Sequence, residues 1–211
     1  MRPGGVEDES LLAALRAIAF KKPISIRNAV VDLGDGTFAV RIVAADGAHR
    51  FYRVDADLPV KTDGTPYYAG LGNGGALWVA VIEKALALHR ANVAGLTYAS
   101  LQRISLDHAF AAFGMRHRDG SLYPSEINQA LAGGRIVTLQ SRPTHVSGAP
   151  LPSPLAPNSI YVVERVNIEP RWQGNRWVNQ EVSITLRDPS DRAITIRSDQ
   201  LLGNFVPDAW L

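Results

Sequence analysis

The chain has 211 residues, 46% of them hydrophobic, and sets 22 Lys and Arg against 20 Asp and Glu for a formal net charge of +2. That apolar content is enough for a sizeable core in one domain, and without a run of eighteen apolar residues no membrane span is predicted. With no cysteine there are no disulfides, thiolate metal ligands or thiol nucleophile, and charge spread without a basic block excludes a nucleic-acid tract.

Glu7, Asp8 and Glu9 precede the first apolar segment, the reverse of a basic secretory leader, so no export signal is predicted. Leu11, Leu12, Leu15, Ile18 and Ala19 recur at helical spacing behind this acidic cluster, and Lys21-Lys22-Pro23 adds closing charge and a breaker. The pattern predicts a helix from about Ser10 to Phe20. The runs "NAVVDL", "TFAVRIV" and "HRFYRVD" predict three antiparallel strands, with hairpin signals at Gly34-Asp35-Gly36 and Ala45-Asp46-Gly47. A Gly-rich loop, Gly70 to Gly75, leads into "ALWVAVIEKALALHRA", whose Leu77, Trp78, Val81, Ala85 and Leu88 form the apolar stripe of a second long helix. Shorter helices are predicted near Leu106 to Phe113 and Ser125 to Ala132, the second ended by Gly133-Gly134. "RIVTLQ" resumes strand character, Ser141 to Pro157 is a long Pro- and Ser-rich loop, and "SIYVVERVNI" and "NQEVSITLRD" pair through a Gly174-Asn175 turn. Helices and antiparallel strands in this order predict an α+β fold, and no Gly-x-Gly-x-x-Gly follows a strand.

Several segments, in order, resemble the calpain family of papain-like cysteine peptidases. "PGGVEDESLLAAL" is similar to the family's Gln-Gly-x-x-Gly-Asp-Cys-Trp motif and the Leu-Leu-Ala-Ala-Leu helix behind it. "DGTFAVRI" and "YRVDADLPV" look like its Gly-Thr-Tyr-x-Val-Arg strand and Val-Asp-Asp-x-Leu-Pro turn, and "LWVAVIEKALA" is similar to its Leu-Trp-x-x-Leu-x-Glu-Lys-Ala-Tyr-Ala helix, the most specific match. "PNSIYVV" stands where the family has Asn-His-Ala-Tyr-x-Val, and "ITLRDPSD" where it has Leu-Arg-Asn-Pro-Trp-Gly. The resemblance implies a papain-like protease-core fold with a helical lobe and an antiparallel sheet lobe. It implies a single compact domain over residues 1–211, with approximate lobes 1–65 and 66–211.

It also implies that the chemistry is gone. Glu9 stands in place of the nucleophilic Cys, Ser159 of the His, Asp188 of the Asn and Pro3 of the oxyanion-hole Gln, while Ser10 and Ser190 replace flanking tryptophans. Peptide cleavage of this kind needs a thiolate activated by an imidazole, and neither stands at its position. The implied binding-cleft candidates are Asp8, Glu9, Ser10, Asn158, Ser159, Asp188 and Ser190.

Plainer readings stand beside these. Residues Glu7 to Ser10 serve equally as a cap with first-turn acids, and Trp78, Glu83 and Lys84 as a core anchor with a surface charge pair. His49, His89, His108, His117 and His145 lack metal-ligand spacing, so no metal is assigned; no EF-hand loop is present, so no calcium or other cofactor is assigned either. Three functions remain open: an inactive calpain-like module that binds a peptide or protein, a hydrolase with relocated chemistry on Glu9 with Asp188 or Ser10 with His145, and an assembly module with a vestigial cleft. The cysteine-free, Ala- and Arg-rich chain is bacterial in style. A cytoplasmic location, or secretion without a signal peptide, is expected, and the oligomeric state stays open.

Overall fold

A computed structural model describes residues 9–58, 60–64, 66, 77–94, 101, 104–116 and 118–210. The chain divides into two compact units, 1–117 and 118–211. Both mix helix with antiparallel sheet, as the α+β expectation requires. Among the described residues no helix is long and apolar enough to cross a membrane.

In the first unit, helix α1 spans Glu9–Lys21. The sequence predicts a one-sided stripe, but Leu11 through Ile18 are all buried, Arg16 included. Ala13, Ala14 and Ala17 complete the circumference with small side chains, so α1 is a core helix, apolar nearly all round. Pro23 does not simply break the chain. It opens a second short helix, α2 (Pro23–Arg27), because a residue without an N–H and with φ fixed near the helical value suits a first helical position.

Strands β1 (Val30–Asp32), β2 (Thr37–Val43) and β3 (His49–Asp55) form an antiparallel sheet in chain order. Val40, Ile42 and Val54 are buried from it while Phe51 on the opposite alternation is 70% exposed, the period-2 signature of a half-buried sheet. Its first turn is fixed by Asp35, which accepts from the Thr37 amide and hydroxyl and pairs with Arg53. The Thr37 hydroxyl bond above all holds that carboxyl below its ordinary range.

Helix α3 (Trp78–Ala94) packs with β2 and β3. Lys84 pairs with Asp55 and donates to the Asp57 carbonyl at 2.7 Å, but Glu83 is not its surface companion. Glu83 is fully buried, three and four residues from Val79, Ala80, Leu86 and Ala87 on the same buried face, and it is partnered there. Leu88, expected in the stripe, is 39% exposed. Helix α4 (Leu106–Ala111) packs with α1 and is capped by Ser105, whose hydroxyl accepts from the His108 amide at 3.3 Å. The Gly70 to Gly75 loop lies outside the described residues.

In the second unit six strands run in the order β4-β9-β5-β6-β7-β8, every neighbouring pair antiparallel. They are β4 (Arg118–Asp119), β5 (Val137–Ser141), β6 (Ile160–Gln173), β7 (Arg176–Arg187), β8 (Ala193–Arg197) and β9 (Phe205–Trp210), with helices α5 (Pro124–Ala132) and α6 (Leu201–Asn204). Ile127, Val137, Leu139, Tyr161, Ile184, Leu186 and Phe205 form the centre of its core, and the Tyr161 and Phe205 rings meet edge to face at 5.6 Å. Strands β6 and β7 outrun their sequence assignments. They continue as a ribbon to the Gly174-Asn175 turn, where φ is 55° and 64°, the left-handed pair of a two-residue hairpin. Near that tip Trp172 and Trp177 face each other across the strands in a T-shaped pair at 5.4 Å, both largely exposed.

Ser141, assigned to the loop from sequence, closes β5, and from there to Pro157 the chain has no regular structure but is tied at its base. Val146 donates to the Gly203 carbonyl at 3.0 Å and Arg142 to the Asn204 carbonyl at 2.8 Å. The Nε2 side of the His145 ring packs against Gly203: a Cβ at that position would stand 2.3 Å from Nε2 and 2.8 Å from Cδ2. Gly203→Ala is therefore expected to lower stability by about 1–3 kcal/mol through forced displacement of the ring. In a His145→Ala background the same change should cost much less. Thermal melts of the four variants check the coupling, and an equal cost in both backgrounds would deny that His145 is the obstacle.

Candidate functional site

The sequence points to two ends of chain, one at the start of α1 and one at the end of the second unit's sheet. Glu9 is the exposed first residue of α1, where its carboxylate meets the positive end of the helix, and Ser10 is half-buried behind it. Pro3 and Asp8 lie outside the described residues.

Ser159 and Asp188 belong to the second unit. Ser159 immediately precedes β6 and Asp188 immediately follows β7, and because Val162 pairs with Arg187 in antiparallel register, both residues stand at the same end of the sheet. Asn158 and Ser190 flank them and are exposed, Asn158 with φ of 53°.

Each of the two central groups is bound into local structure. The Ser159 amide donates to Ser141 Oγ at 2.9 Å and its hydroxyl donates to the Pro157 carbonyl at 3.2 Å. Ser141 Oγ in turn donates to the Ala156 carbonyl at 2.6 Å, so one buried hydroxyl gathers both ends of the long loop. Asp188 is 3% exposed. Its Oδ1 accepts from the Ser190 and Arg192 amides, both at 2.9 Å, and its Oδ2 accepts from Arg192 Nε at 2.9 Å and Nη2 at 2.8 Å. A carboxylate offers about four lone-pair sites, and here donors of its own turn take them all. His145 likewise accepts at Nδ1 from the Ser147 amide at 3.1 Å.

The first unit holds a second arrangement, which sequence reasoning missed. A cavity of about 290 Å³ opens between the end of β2, α3 and α4. Ile42, Leu86 and Ile104 give it apolar walls, and its polar groups are His89, Arg90 and His108. His89 Nδ1 lies 2.7 Å from the Tyr52 hydroxyl, with the two rings edge to face at 5.5 Å. His108 Nδ1 lies 2.6 Å from Ser105 Oγ. Each imidazole is thus steadied through Nδ1 by a neighbouring hydroxyl. Partial burial, and after it the positive charges of Arg50 and Arg90, press the His89 pKa below its ordinary value, while Asp46 pulls weakly the other way. The lowered pKa favours the neutral ring at neutral pH, and a single hydrogen is shared between its Nδ1 and the Tyr52 hydroxyl. The missed signal is a pairing 37 positions apart, Tyr52 with His89, which no local spacing encodes.

Among the described residues no three His, Asp or Glu side chains gather as a metal centre needs. No protein-family model matches this chain, and no curated protein matches it.

The His89 environment carries a pH consequence. Folding weakens proton binding at this ring, so the unfolded chain holds more protons near and below the unperturbed value of about 6.5. Stability from this source is complete above about pH 6.5 and is lost as the pH falls from there through the lower folded value. Urea midpoints measured across that window should decline more steeply for the wild type than for His89→Gln. Matching slopes would show that the ring's environment is not as described.

Proposed function

We propose that this chain is a catalytically inactive, calpain-like module that works by binding a peptide or protein partner. One observation carries the reading: the Asp188 carboxylate, at the position of the family's orienting Asn, spends all its acceptor capacity on its own turn. Ser159, at the position of the catalytic His, neither takes up a proton near neutral pH nor forms an imidazolium, and its hydroxyl is already donated. Glu9 keeps the helix N-terminus that would lower a thiol's pKa, without a thiol. Support for the calpain-like core comes from the buried helix α1 with residue 9 at its start, the three-stranded sheet after it, and positions 159 and 188 meeting at one sheet end.

Relocated hydrolysis asks more of these groups. The Glu9 and Asp188 route needs a lone pair that Asp188 does not spare, and the Ser10 and His145 route needs a ring now packed on Gly203. The assembly reading has one specific observation in its favour, the exposed Trp172 and Trp177 pair near the ribbon tip.

The test is a peptide-library cleavage assay, with and without calcium. The wild type should give no cleavage above a Glu9→Ala control, and the double variant Glu9→Cys with Ser159→His should gain thiol-dependent cleavage. Wild-type cleavage that disappears in Glu9→Ala would overturn the inactive reading. A concentration-dependent dimer abolished by Trp172→Ala with Trp177→Ala would favour assembly.

A further inference from the structure

Strands β6 and β7 leave the six-stranded sheet as a two-stranded ribbon, and its two outer edges differ. The pairing of β7 with β8 ends at Ser183, and from Arg176 to Gln180 no strand lies beside the outer edge of β7 among the described residues. The turn decides which backbone groups face outward there. In a two-residue hairpin the flanking pair, Gln173 with Arg176, exchanges hydrogen bonds, so the backbone groups of the next pair, Trp172 with Trp177, point outward. Alternation then turns Pro170 and Asn179 outward as well.

Two observations agree with this phase. Pro170, which has no N–H, sits where no ladder bond is lost, and the Glu181 carbonyl accepts from Ser198 Oγ, just past the end of β8, at 2.8 Å. The β6 edge is therefore guarded by a proline, a common protection of exposed edges. On the β7 edge Trp177 and Asn179 each present an N–H and a C=O, and Ser198 closes the row at Glu181. At ~3.4 Å per residue the stretch from Arg176 to Gln180 offers about 17 Å of edge, enough for a short added strand.

The side chains give that edge a chemical bias. Trp172 and Trp177 occupy one face, 57% and 67% exposed. By register Arg171 and Arg176 occupy the other, and Arg171 donates to the neutral Gln180 side chain at 3.1 Å, which leaves its charge in place. From Pro170 to Gln180 the sequence has no Asp or Glu.

We propose that the open β7 edge from Arg176 to Gln180 takes an extended acidic peptide as an added strand, with apolar side chains on the tryptophan face and carboxylates on the arginine face. This names the partner for the binding function proposed above and rests on it. A second copy would bring two like-charged tips together, and an anionic bilayer would use the tryptophans and arginines while leaving the open edge without a role.

The experiment follows amide signals of isotope-labelled protein by NMR while three probes are added: acetyl-Glu-Val-Glu-Val-Glu amide, its Lys-for-Glu counterpart, and the acidic peptide N-methylated at every residue. Saturable shifts at the Trp177 and Asn179 amides are expected with the acidic peptide, and the other two probes should bind at least about tenfold more weakly. Trp177→Ala should weaken the acidic peptide by about tenfold. Asn179→Pro removes an outward N–H opposite Pro170 and spares the β6–β7 ladder, so it should abolish binding with an unchanged thermal melt. Arg176→Glu should invert the preference between the acidic and Lys peptides, and it carries the test if Asn179→Pro melts early. Absence of saturable shifts, or equal binding of the N-methylated peptide, overturns the proposal. So does a concentration-dependent dimer lost in Asn179→Pro, or capture by anionic vesicles without peptide binding. If the peptide fails while the wild type stays silent in the cleavage assay, only the edge assignment falls; if the wild type cleaves, the inactive binding function falls independently.

Discussion

A carboxylate buried to 3% exposure must be hydrogen-bonded or it costs several kcal/mol, and Asp188 meets that constraint by drawing a whole turn around itself. Asp188 also donates its amide to the Arg192 carbonyl, and Asp191 takes φ of 65° to let the chain reverse. That reversal starts β8, the edge strand, whose Ile194 and Ile196 pair with Leu186 and Ile184 of β7, with Ile196 buried in the core. The turn after β8 then leads into α6, against which the long loop is tied, and into β9, which fills the place between β4 and β5. Ser141 performs the matching task at the other side of the loop, joining Ala156 and Ser159 through one hydroxyl.

These two nodes explain why the sheet end reads as structure. In a working site an acid or base keeps an oxygen or nitrogen open toward substrate. Here the groups at the resembling positions are closed by neighbours within a few residues of themselves, whereas in the other unit His89 and His108 line a cavity with apolar walls. Binding, with specificity from a few convergent polar groups on apolar walls, needs no more than such a cavity offers.

Much of the fold is legible from local pattern. Period-2 alternation and Gly-containing turns mark β2, β3, β6 and β7, and the Gly174-Asn175 pair specifies its own turn type. Strands β8 and β9 were not, because "AITIR" and "FVPDAW" are short and gain their identity from long-range partners, the second even containing Pro207. Glu83 misled because charge suggests a surface, although its spacing from Val79 and Leu86 sets it on the buried face of α3. Of the candidate site, the positions of Ser159 and Asp188 at the ends of adjacent strands follow from strand assignment. The engagement of their polar atoms, and the meeting of Tyr52 with His89, are tertiary facts.

The central claim, that these positions build structure and perform no reaction, is tested most directly by Asp188→Ala, read at once for stability and for peptide hydrolysis. The account predicts a loss of about 1–3 kcal/mol in urea unfolding, from the stranded Ser190 and Arg192 amides, with little more from the ion pair because Arg192 is largely exposed. Hydrolysis should stay at the same background in both proteins. An unchanged unfolding midpoint, together with a wild-type hydrolysis that vanishes in the variant, would contradict it.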